Sequence, residues 1–142
     1  MPTRRTQIID ALVADLEANT DVAAGNVHKR FKYLDELNDF PSITFLAGGE
    51  DRAHYGAGEK FGTMTLQLRN YVFSEDQLDA AEELSNNVEL DVIDKFANLH
   101  RDLGVESANV VEFRTDEGLF APYGIGDQTV SIVYNIELKS SW

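Results

Sequence analysis

The sequence predicts an α+β fold: an antiparallel or mixed β-sheet of four to five strands with two helices packed on one face. Three observations lead to this prediction. Residues 74–103 repeat apolar side chains at steps of three and four, as one face of a long helix requires. Segments on either side of that stretch alternate apolar and polar residues, which is typical of strands with one buried face. A shorter amphipathic stretch lies near the N-terminus.

The composition predicts a single domain over residues 1–142. Hydrophobic residues make up 43% of the chain, which argues against disorder. No apolar run approaches the length that spans a bilayer, and Asp10 and Asp15 interrupt the first apolar stretch, so we predict no membrane span and no signal peptide. The chain has no cysteine, which excludes disulfides and thiolate metal sites. We therefore expect it to act in the cytosol or in a particle assembled there.

The chain is strongly acidic, with a formal net charge of −13 from 25 acidic and 12 basic residues. Such a chain repels phosphate, so tight nucleic-acid binding through counterion release is not expected. Two interpretations remain open. One is an ordinary well-solvated surface or a salty habitat, and the other is a surface that lets a polyanion pass without adhesion.

The first half of the chain predicts one helix and three strands. Thr3 or Thr6 is expected to cap the helix, whose apolar stripe is Ile8, Ile9, Leu12, Val13 and Leu16. Strands are predicted at residues 27–31, at 42–47 after Pro41, and at 61–73, where Met64, Leu66, Leu68 and Val72 share the buried face. Between the last two, residues 48–60 contain four glycines and many charges. This segment is predicted to be a long connection, mobile or ordered only by a partner.

The second half is predicted to begin with the long helix. Ser74 has the character of an N-cap with Gln77 at the capping-box position, and Gly104 is expected to end the helix. The predicted apolar stripe is Leu78, Ala81, Leu84, Ser85, Val88, Val92, Phe96, Leu99 and Leu103, widened by Leu90 and Ile93. Strands follow at residues 105–114, with Val111 and Phe113 on one face, and at residues 129–138. A second long loop is predicted between them, at residues 115–126.

Residues with catalytic chemistry do not combine into a recognisable site. Residues 56–60 have glycines and a lysine but lack the order and the following helix of a phosphate-binding loop. The sequence at residues 100–102 matches the start of a kinase catalytic loop without its companion motifs. The histidines at positions 28, 54 and 100 lack the local spacing of zinc ligands. No serine lies in a nucleophile elbow, and no carboxylate pair suggests acid–base chemistry, so we predict no enzyme, no metal and no cofactor.

The two predicted loops are the remaining candidates for a functional surface. Both combine charges with aromatic side chains, which suits either solvated hairpin connections or polar docking between subunits. Trp142 would be an efficient interface anchor. The candidate interface residues are Glu50, Asp51, Arg52, His54, Tyr55, Glu59, Lys60, Asp116, Glu117, Phe120, Tyr123 and Trp142.

The order and spacing of several short segments carry a family resemblance over nearly the whole chain. These segments are Arg4-Arg5 with Ile8-Ile9, residues 27–30, Phe40-Pro41-Ser42-Ile43-Thr44, residues 69–72, residues 77–82 with Val88-Glu89, and residues 130–134. Laid out in this order, the chain resembles the tail terminator (tail completion) proteins of long-tailed bacteriophages, the lambda type.

The resemblance implies a structural virion protein of the phage neck, assembled in the host cytoplasm. It implies a homohexameric ring that caps the tail tube, ends tube polymerisation and joins the tail to the head-side connector, with sheath protein as a further partner in a contractile tail. The sheet would contribute to the inner wall, and residues 48–60 would contact an adjacent subunit or the tube. DNA would pass through the lumen without specific binding, and acidic groups there would prevent adhesion.

Two other functions remain open beside that one. The chain could be another head–tail neck component, such as a head-closure or adaptor protein, although these tend toward barrels or helical bundles. It could also be a non-viral soluble α+β binding domain, which a pocket with convergent polar groups would indicate.

Overall fold

The computed structural model describes residues 3–22, 25–37, 39–55, 59–117 and 119–136. Two helical segments and a five-stranded mixed sheet make up an α+β fold, as predicted. The helices are α1 (Arg4–Asn19), α2 (Gln77–Asn87) and α3 (Asp94–Leu99), and the strands are β1 (Val27–His28), β2 (Ser42–Tyr55), β3 (Glu59–Phe73), β4 (Val105–Thr115) and β5 (Tyr123–Asn135).

The strands lie in the order β1-β2-β3-β5-β4. The short strand β1 pairs with β2 in parallel, and every other neighbouring pair is antiparallel. The central pair is β3 with β5, which is in register from Phe61 opposite Asn135 to Phe73 opposite Tyr123. In the described part of the chain, β4 therefore forms one edge of the sheet, and β2 beyond its short pairing with β1 forms the other.

The main core lies between the helices and one face of the sheet. The predicted buried residues of β3 are confirmed, since Met64, Leu66 and Leu68 are fully buried. Of the residues expected to face the core from the last strand, Val130, Ile132 and Tyr134 are buried, Ile136 is partly buried and Leu138 lies outside the described residues. The α1 stripe contributes Ile8, Leu12 and Leu16 to the same cluster. Thr3 caps α1 as expected, because its hydroxyl accepts a hydrogen bond from the backbone amide of Thr6 at 3.1 Å.

The long helix predicted from Ser74 is interrupted. A π-helical turn (Val88–Ile93) separates α2 from α3, and a 3₁₀ turn (Arg101–Leu103) leads to Gly104, whose positive φ of 85° ends the helical region as predicted. The prediction of a Ser74 cap was wrong, because α2 begins at Gln77 and the Ser74 hydroxyl accepts a hydrogen bond from the amide of Asp76 in the preceding turn.

The extra residue of the π turn changes which side chains face the sheet. Val88, Val92, Ile93 and Phe96 are buried, as the predicted stripe requires. Leu90, predicted to widen the stripe, is 50% exposed, and Leu78 and Leu99 near the ends of the stripe are also exposed. The prediction was wrong at these three positions. A constant period of 3.6 residues cannot describe a helix whose winding changes in the middle, where Leu90 lies, and Leu78 and Leu99 lie at the two ends of the helical region, beyond the packed part of the stripe.

Residues 48–60 are not the long connection that we predicted. The backbone from Ser42 to Tyr55 forms one strand, and Tyr55 pairs with Glu59 at the end of an antiparallel hairpin. A β-bulge between Ala47 and Glu50 shifts the register of β2 against β3. The bulge interrupts the alternation of apolar and polar residues, which is the signal by which a strand is recognised in a sequence.

Strand β4 is more exposed than predicted. Val111 and Phe113, expected on one face of the strand, are 62% and 40% exposed. Two bulges, between Val105 and Ser107 and between Val110 and Glu112, break its alternation. Since β4 is an edge strand, only Val105 and Ala108 of its side chains are fully covered.

Candidate functional site

The two sets of candidate residues lie at opposite ends of the sheet. The hairpin between β2 and β3 is at one end, together with the start of β4 and the end of β5; we call this the hairpin end. Residues 115–123 lie at the other end, beside Phe73, and we call this the loop end. Twelve residue steps of β3 separate them, about 40 Å at the rise of a strand. The structure therefore does not bring the two sets together on one surface.

Glu50, at the hairpin end, is held inside the fold. Its side chain is 5% exposed and accepts hydrogen bonds from the Tyr134 hydroxyl at 2.7 Å and from Arg52 Nε at 2.8 Å. Arg5 of α1 lies 3.5 Å from the same carboxylate and donates to the carbonyl of Gly48 at 2.7 Å. These contacts tie the start of α1 to β2. Glu50 is thus engaged within the chain, whereas Asp51 and Arg52 remain exposed.

The bulge in β2 is what turns Glu50 toward the helices. Gly48 is required there, because a Cβ would lie 2.8 Å from the backbone oxygen of Thr65. Across the sheet, Gly62 leaves room for the Glu50 carboxylate, which would lie 3.0 Å from a Cβ at that position. Burial, with the hydrogen bond to Glu50 as the second cause, raises the pKa of Tyr134 to about 12.

The other candidates at the hairpin end are positioned by the paired strands. Lys60 is half-buried, and its carbonyl accepts a hydrogen bond from the amide of Ile136 at 2.9 Å. His54, Tyr55 and Glu59 belong to the paired backbone of the hairpin. Trp142 lies outside the described residues.

The loop end is built around Asp116. Its carboxylate accepts hydrogen bonds from the amides of Phe120 at 3.3 Å and Ile125 at 3.4 Å, which folds the turn back toward β5. Glu117 is exposed and has a positive φ of 56°. Asp116 is therefore a structural element of this loop, whereas the candidates Glu117 and Phe120 are exposed, as is Leu119 between them.

An aromatic groove of about 510 Å³ opens at the loop end, on the face of the sheet opposite the helices. Tyr123 lies at its edge with its ring centroid 5.2 Å from that of Phe40 and 5.0 Å from that of Phe73. Tyr33, Leu34 and Phe120 complete the apolar wall. The polypeptide between residues 31 and 40 covers this part of the sheet, and Leu37, Tyr71 and Ile125 form a small second core beneath it.

Two polar groups in the groove are already paired within the chain. Arg69 binds Asp127 with two hydrogen bonds of 2.6 and 3.0 Å, and this hydrogen bonding raises the pKa of Arg69. The hydroxyl of Tyr71 donates to the carbonyl of Lys32 at 2.7 Å, and burial raises its pKa. These two groups are therefore not available as the convergent polar groups that a small-molecule site requires.

The open face of the sheet carries a set of uncharged polar side chains, with Val133 lying among them. The register places them on three adjacent strands, all pointing away from the helices. We call this set the polar panel; it consists of Thr63, Thr65, Gln67, Ser107, Asn109, Thr129 and Ser131. In a chain with 37 charged residues, a neutral area across the middle of a sheet is a distinct surface.

The acidic charge is concentrated on the opposite side of the molecule. The segment from residue 75 to residue 94 contains eight acidic and no basic residues. Seven of the eight are exposed: Glu75, Asp76, Asp79, Glu82, Glu83, Asp91 and Asp94. The helix buries its apolar stripe against the sheet, so this polar side faces solvent. The middle of the open face of the sheet, by contrast, carries the uncharged side chains of the polar panel.

Comparison with known sequences decides the family. The profile of the family described as Bacteriophage Tail Tube Terminator Protein matches residues 3–140. This chain belongs to that family. It is also similar to the tail tube terminator protein p142 of Escherichia phage T5, with 26% identity over 157 aligned positions that cover 96% of each chain. The resemblance to tail terminators that the sequence indicated is confirmed.

Tail tube terminators are structural proteins of the virion tail, and the fold is consistent with such a role. In the described ranges, no three or more histidine, aspartate or glutamate side chains are grouped to hold a metal ion. No helix in those ranges is both long and apolar enough to cross a bilayer.

Three surfaces of this terminator were not recognised in the sequence. The aromatic groove draws Tyr33, Phe40 and Tyr71 from segments distant in the chain, and in the sequence only the Phe40-Pro41 pair marked one of these positions. The polar panel could have been found from the strand alternation, since Thr63, Thr65 and Gln67 occupy the polar positions of a predicted strand. The free edges of the sheet depend on strand order, which the sequence does not show.

Proposed function

We propose that this chain forms a closed ring on the end of the tail tube, ends tube polymerisation there and presents a second surface to the head-side connector. The observation that carries the proposal is the match of the tail tube terminator family to residues 3–140. A homohexamer is the assembly that the resemblance to lambda-type terminators implies. The ring belongs to the virion tail and is assembled in the host cytoplasm.

The separation of the two ends of the sheet supports a bridging role. A terminator must bind a tube on one side and neck components on the other, so it needs two different surfaces. The hairpin end exposes Asp51 and Arg52, whereas the loop end exposes Phe120 beside the aromatic groove. We assign the hairpin end, with Lys60, to the tube and the loop end, with Glu117, Phe120 and Tyr123, to the head side.

The polar panel is suited to line the channel. Uncharged hydroxyl and amide groups neither attract phosphate as lysine and arginine do nor repel it as carboxylates do. Arg69 and Asp127, a charged pair on the same face of the central strands, neutralise each other. DNA passing this wall would meet a hydrated, neutral surface and would not bind it specifically.

The proposal is tested by tube growth in the presence of the purified protein. Tube subunits are polymerised alone and with increasing amounts of this chain, and tube lengths and end caps are recorded by electron microscopy. We expect shorter tubes with a cap at one end. Tubes of unchanged length without caps would contradict the termination role.

Two charge-reversing variants test the assignment of the ends. Asp51→Lys alters the hairpin end and is expected to reduce capping, while Glu117→Lys at the loop end should cap tubes normally but impair joining to heads. Both residues are exposed, so both variants should fold. If Asp51→Lys instead impaired head joining and Glu117→Lys impaired capping, the hairpin end would belong to the head side and the loop end to the tube.

A further inference from the structure

The two edges of the sheet are formed by different strands, β2 and β4, and the directions of these strands suit pairing between copies. Counting from β2 to β3, β5 and β4, each step is antiparallel, so β4 runs opposite to β2. If a second copy is placed beside the first in the same orientation, its β2 lies next to β4 and runs antiparallel to it. The alternation of strand directions then continues across the boundary between copies.

Among the described strands, neither edge has a partner where such pairing would occur, although the Gly48 carbonyl on β2 accepts a hydrogen bond from Arg5. Over the described residues, β4 pairs only with β5, and β2 beyond Thr44 pairs only with β3. An edge strand exposes a row of backbone donors and acceptors that another strand can satisfy. Adding a strand to such an edge is an established mode of protein–protein binding.

The side chains on the two edges are complementary at the same height of the sheet. Leu46 on β2 is 48% exposed and lies in the row of Gln67 and Thr129, which ends at Glu112 on β4. The bulged residue Val111, 62% exposed, is the neighbour of Glu112. Apposition of the edges would bring these two exposed apolar side chains together.

A second contact falls near the hairpin end. Arg52 lies in the row of Gly62 and Tyr134, which ends at Val105 on β4. Glu106, the bulged residue next to Val105, is exposed. The edge of one copy therefore offers an arginine where the edge of the next offers a glutamate. Opposite charges across paired strands favour the pairing.

We infer that copies of this chain join edge to edge, β4 of one to β2 of the next, so that their sheets form one continuous inner wall. This inference rests on the proposed ring and states how its subunits meet. The contact is between two different surfaces, which generates a closed ring when the rotation between copies closes. It would also leave the hairpin end and the loop end free for partners above and below, and it would join the polar panels of adjacent copies.

The absence of cysteine allows a clean crosslinking test. Leu46→Cys is combined in turn with Asn109→Cys, Val111→Cys or Arg114→Cys, which samples the register along β4. Within one copy, three strand spacings of about 4.8 Å separate Leu46 from Val111, about 14 Å, whereas a disulfide needs Cα atoms within about 7 Å. Any disulfide must therefore join two copies.

The double variants are oxidised as assembled rings or as caps on tubes and analysed on a denaturing gel. We expect at least one pair, with Val111→Cys the strongest, to give a ladder of covalent oligomers, and each single-cysteine variant to stay monomeric. A dimer from Val111→Cys alone would show β4 pairing with β4 and would overturn the inference. If rings form but none of the cysteine pairs gives a ladder of covalent oligomers, the edge-to-edge inference is also overturned, while the proposed function stays intact.

A charge exchange gives an independent readout. Val111→Lys alone should weaken ring assembly at least several-fold, and Leu46→Glu in the same chain should restore it, because the two positions meet only between copies. Failure of the second substitution to restore assembly would count against the edge contact. If the unmodified protein forms neither rings nor caps, the proposed function itself fails, and the edge inference fails with it.

Discussion

At the scale of single residues, Glu50 at the hairpin end shows that a charged residue expected at an interface can instead be buried inside the fold. Glu50 sits in a charged, glycine-rich stretch, yet its carboxylate binds Tyr134, Arg52 and Arg5. A buried carboxylate needs such partners, because an unpaired charge in the interior is strongly unfavourable. The contact surface that we propose at this end therefore uses Asp51 and Lys60, with Glu50 as its internal support.

The Tyr134–Glu50 hydrogen bond predicts a dependence of stability on alkaline pH. An unfolded tyrosine has a pKa near 10, whereas that of Tyr134 in the fold is about 12. Below pH 10 both states keep the proton; between pH 10 and 12 the unfolded chain loses it first, so the free energy of unfolding falls. Tyr134→Phe should cost about 1 kcal/mol at pH 8 and should show a smaller fall between pH 10 and 12.

Urea unfolding at pH 8, 10 and 11 measures this effect. Tyr33→Phe is the matched control, because Tyr33 is exposed and should unfold like the unmodified chain at every pH. A Tyr134→Phe profile parallel to that of the unmodified protein would contradict the assignment.

At the scale of secondary structure, α2 lies unusually close to β5. A Cβ on Gly124 would lie 2.3 Å from the backbone oxygen of Gln77, and a Cβ on Gly126 would lie 2.6 Å from the Ser85 hydroxyl. Beneath the helix, Asn70 donates to Ser85 and to Gln128, and Gln128 donates to the carbonyl of Ser85 at 2.8 Å. Helix and strand are thus joined by close backbone contact and by a buried polar network.

Gly124→Ala should lower the free energy of unfolding by about 1–3 kcal/mol, because the new methyl group collides with backbone that cannot move aside easily. Gly49→Ala is the matched control, since a Cβ there meets no atom within 4 Å, and its effect should stay within about 0.5 kcal/mol. Equal melting temperatures for the two variants would disprove the close packing of α2 on β5.

Because of the π turn, substitutions at two residues of the same segment should affect the free energy of unfolding differently. Val88→Asp places an unpaired charge in the core and should destabilise the fold by about 3 kcal/mol or more. Leu90→Asp changes an exposed side chain and should cost about 0.5 kcal/mol or less. Thermal unfolding of the two variants tests whether the helix turns Val88, and not Leu90, toward the sheet.

At the scale of the whole molecule, the surface is divided by charge. The side formed by the helices is acidic, the middle of the open face of the sheet carries the uncharged polar panel, and the two ends carry different exposed groups. In the ring that we propose, the acidic side would face outward and contribute solubility, while the neutral face would line the channel.

The channel assignment predicts that positive charge on the polar panel impairs DNA passage. Thr65→Lys together with Ser131→Lys should leave assembly unchanged, because neither side chain is in the core or on an edge strand. Phage carrying this terminator should assemble complete particles that release DNA more slowly in an ejection assay. Lysine at Glu82 and Glu83, on the helix side, is the control and should leave the ejection rate unchanged.

Local periodicity was enough to predict much of the fold. Some burial patterns can be recognised from residues that are close together in the sequence. Examples are the alternation of Met64, Leu66 and Leu68 and the helical repeat of Leu84, Val88 and Val92. The order of these elements also carried the resemblance to tail terminators. By itself, then, the sequence determined the fold class, the family and the buried faces of β3 and of the middle of the long helical region.

Tertiary structure alone decided which surfaces are available for function. Residues 48–55 continue strand β2 because pairing with β3 provides the hydrogen bonds, although the glycine bulge removes the local signal. Val111 and Phe113 are exposed because β4 lies at an edge, and Glu50 is buried because the bulge turns it toward Tyr134. Each outcome depends on strand order and register, which arise from contacts between residues far apart in the chain, so no local pattern could have revealed them.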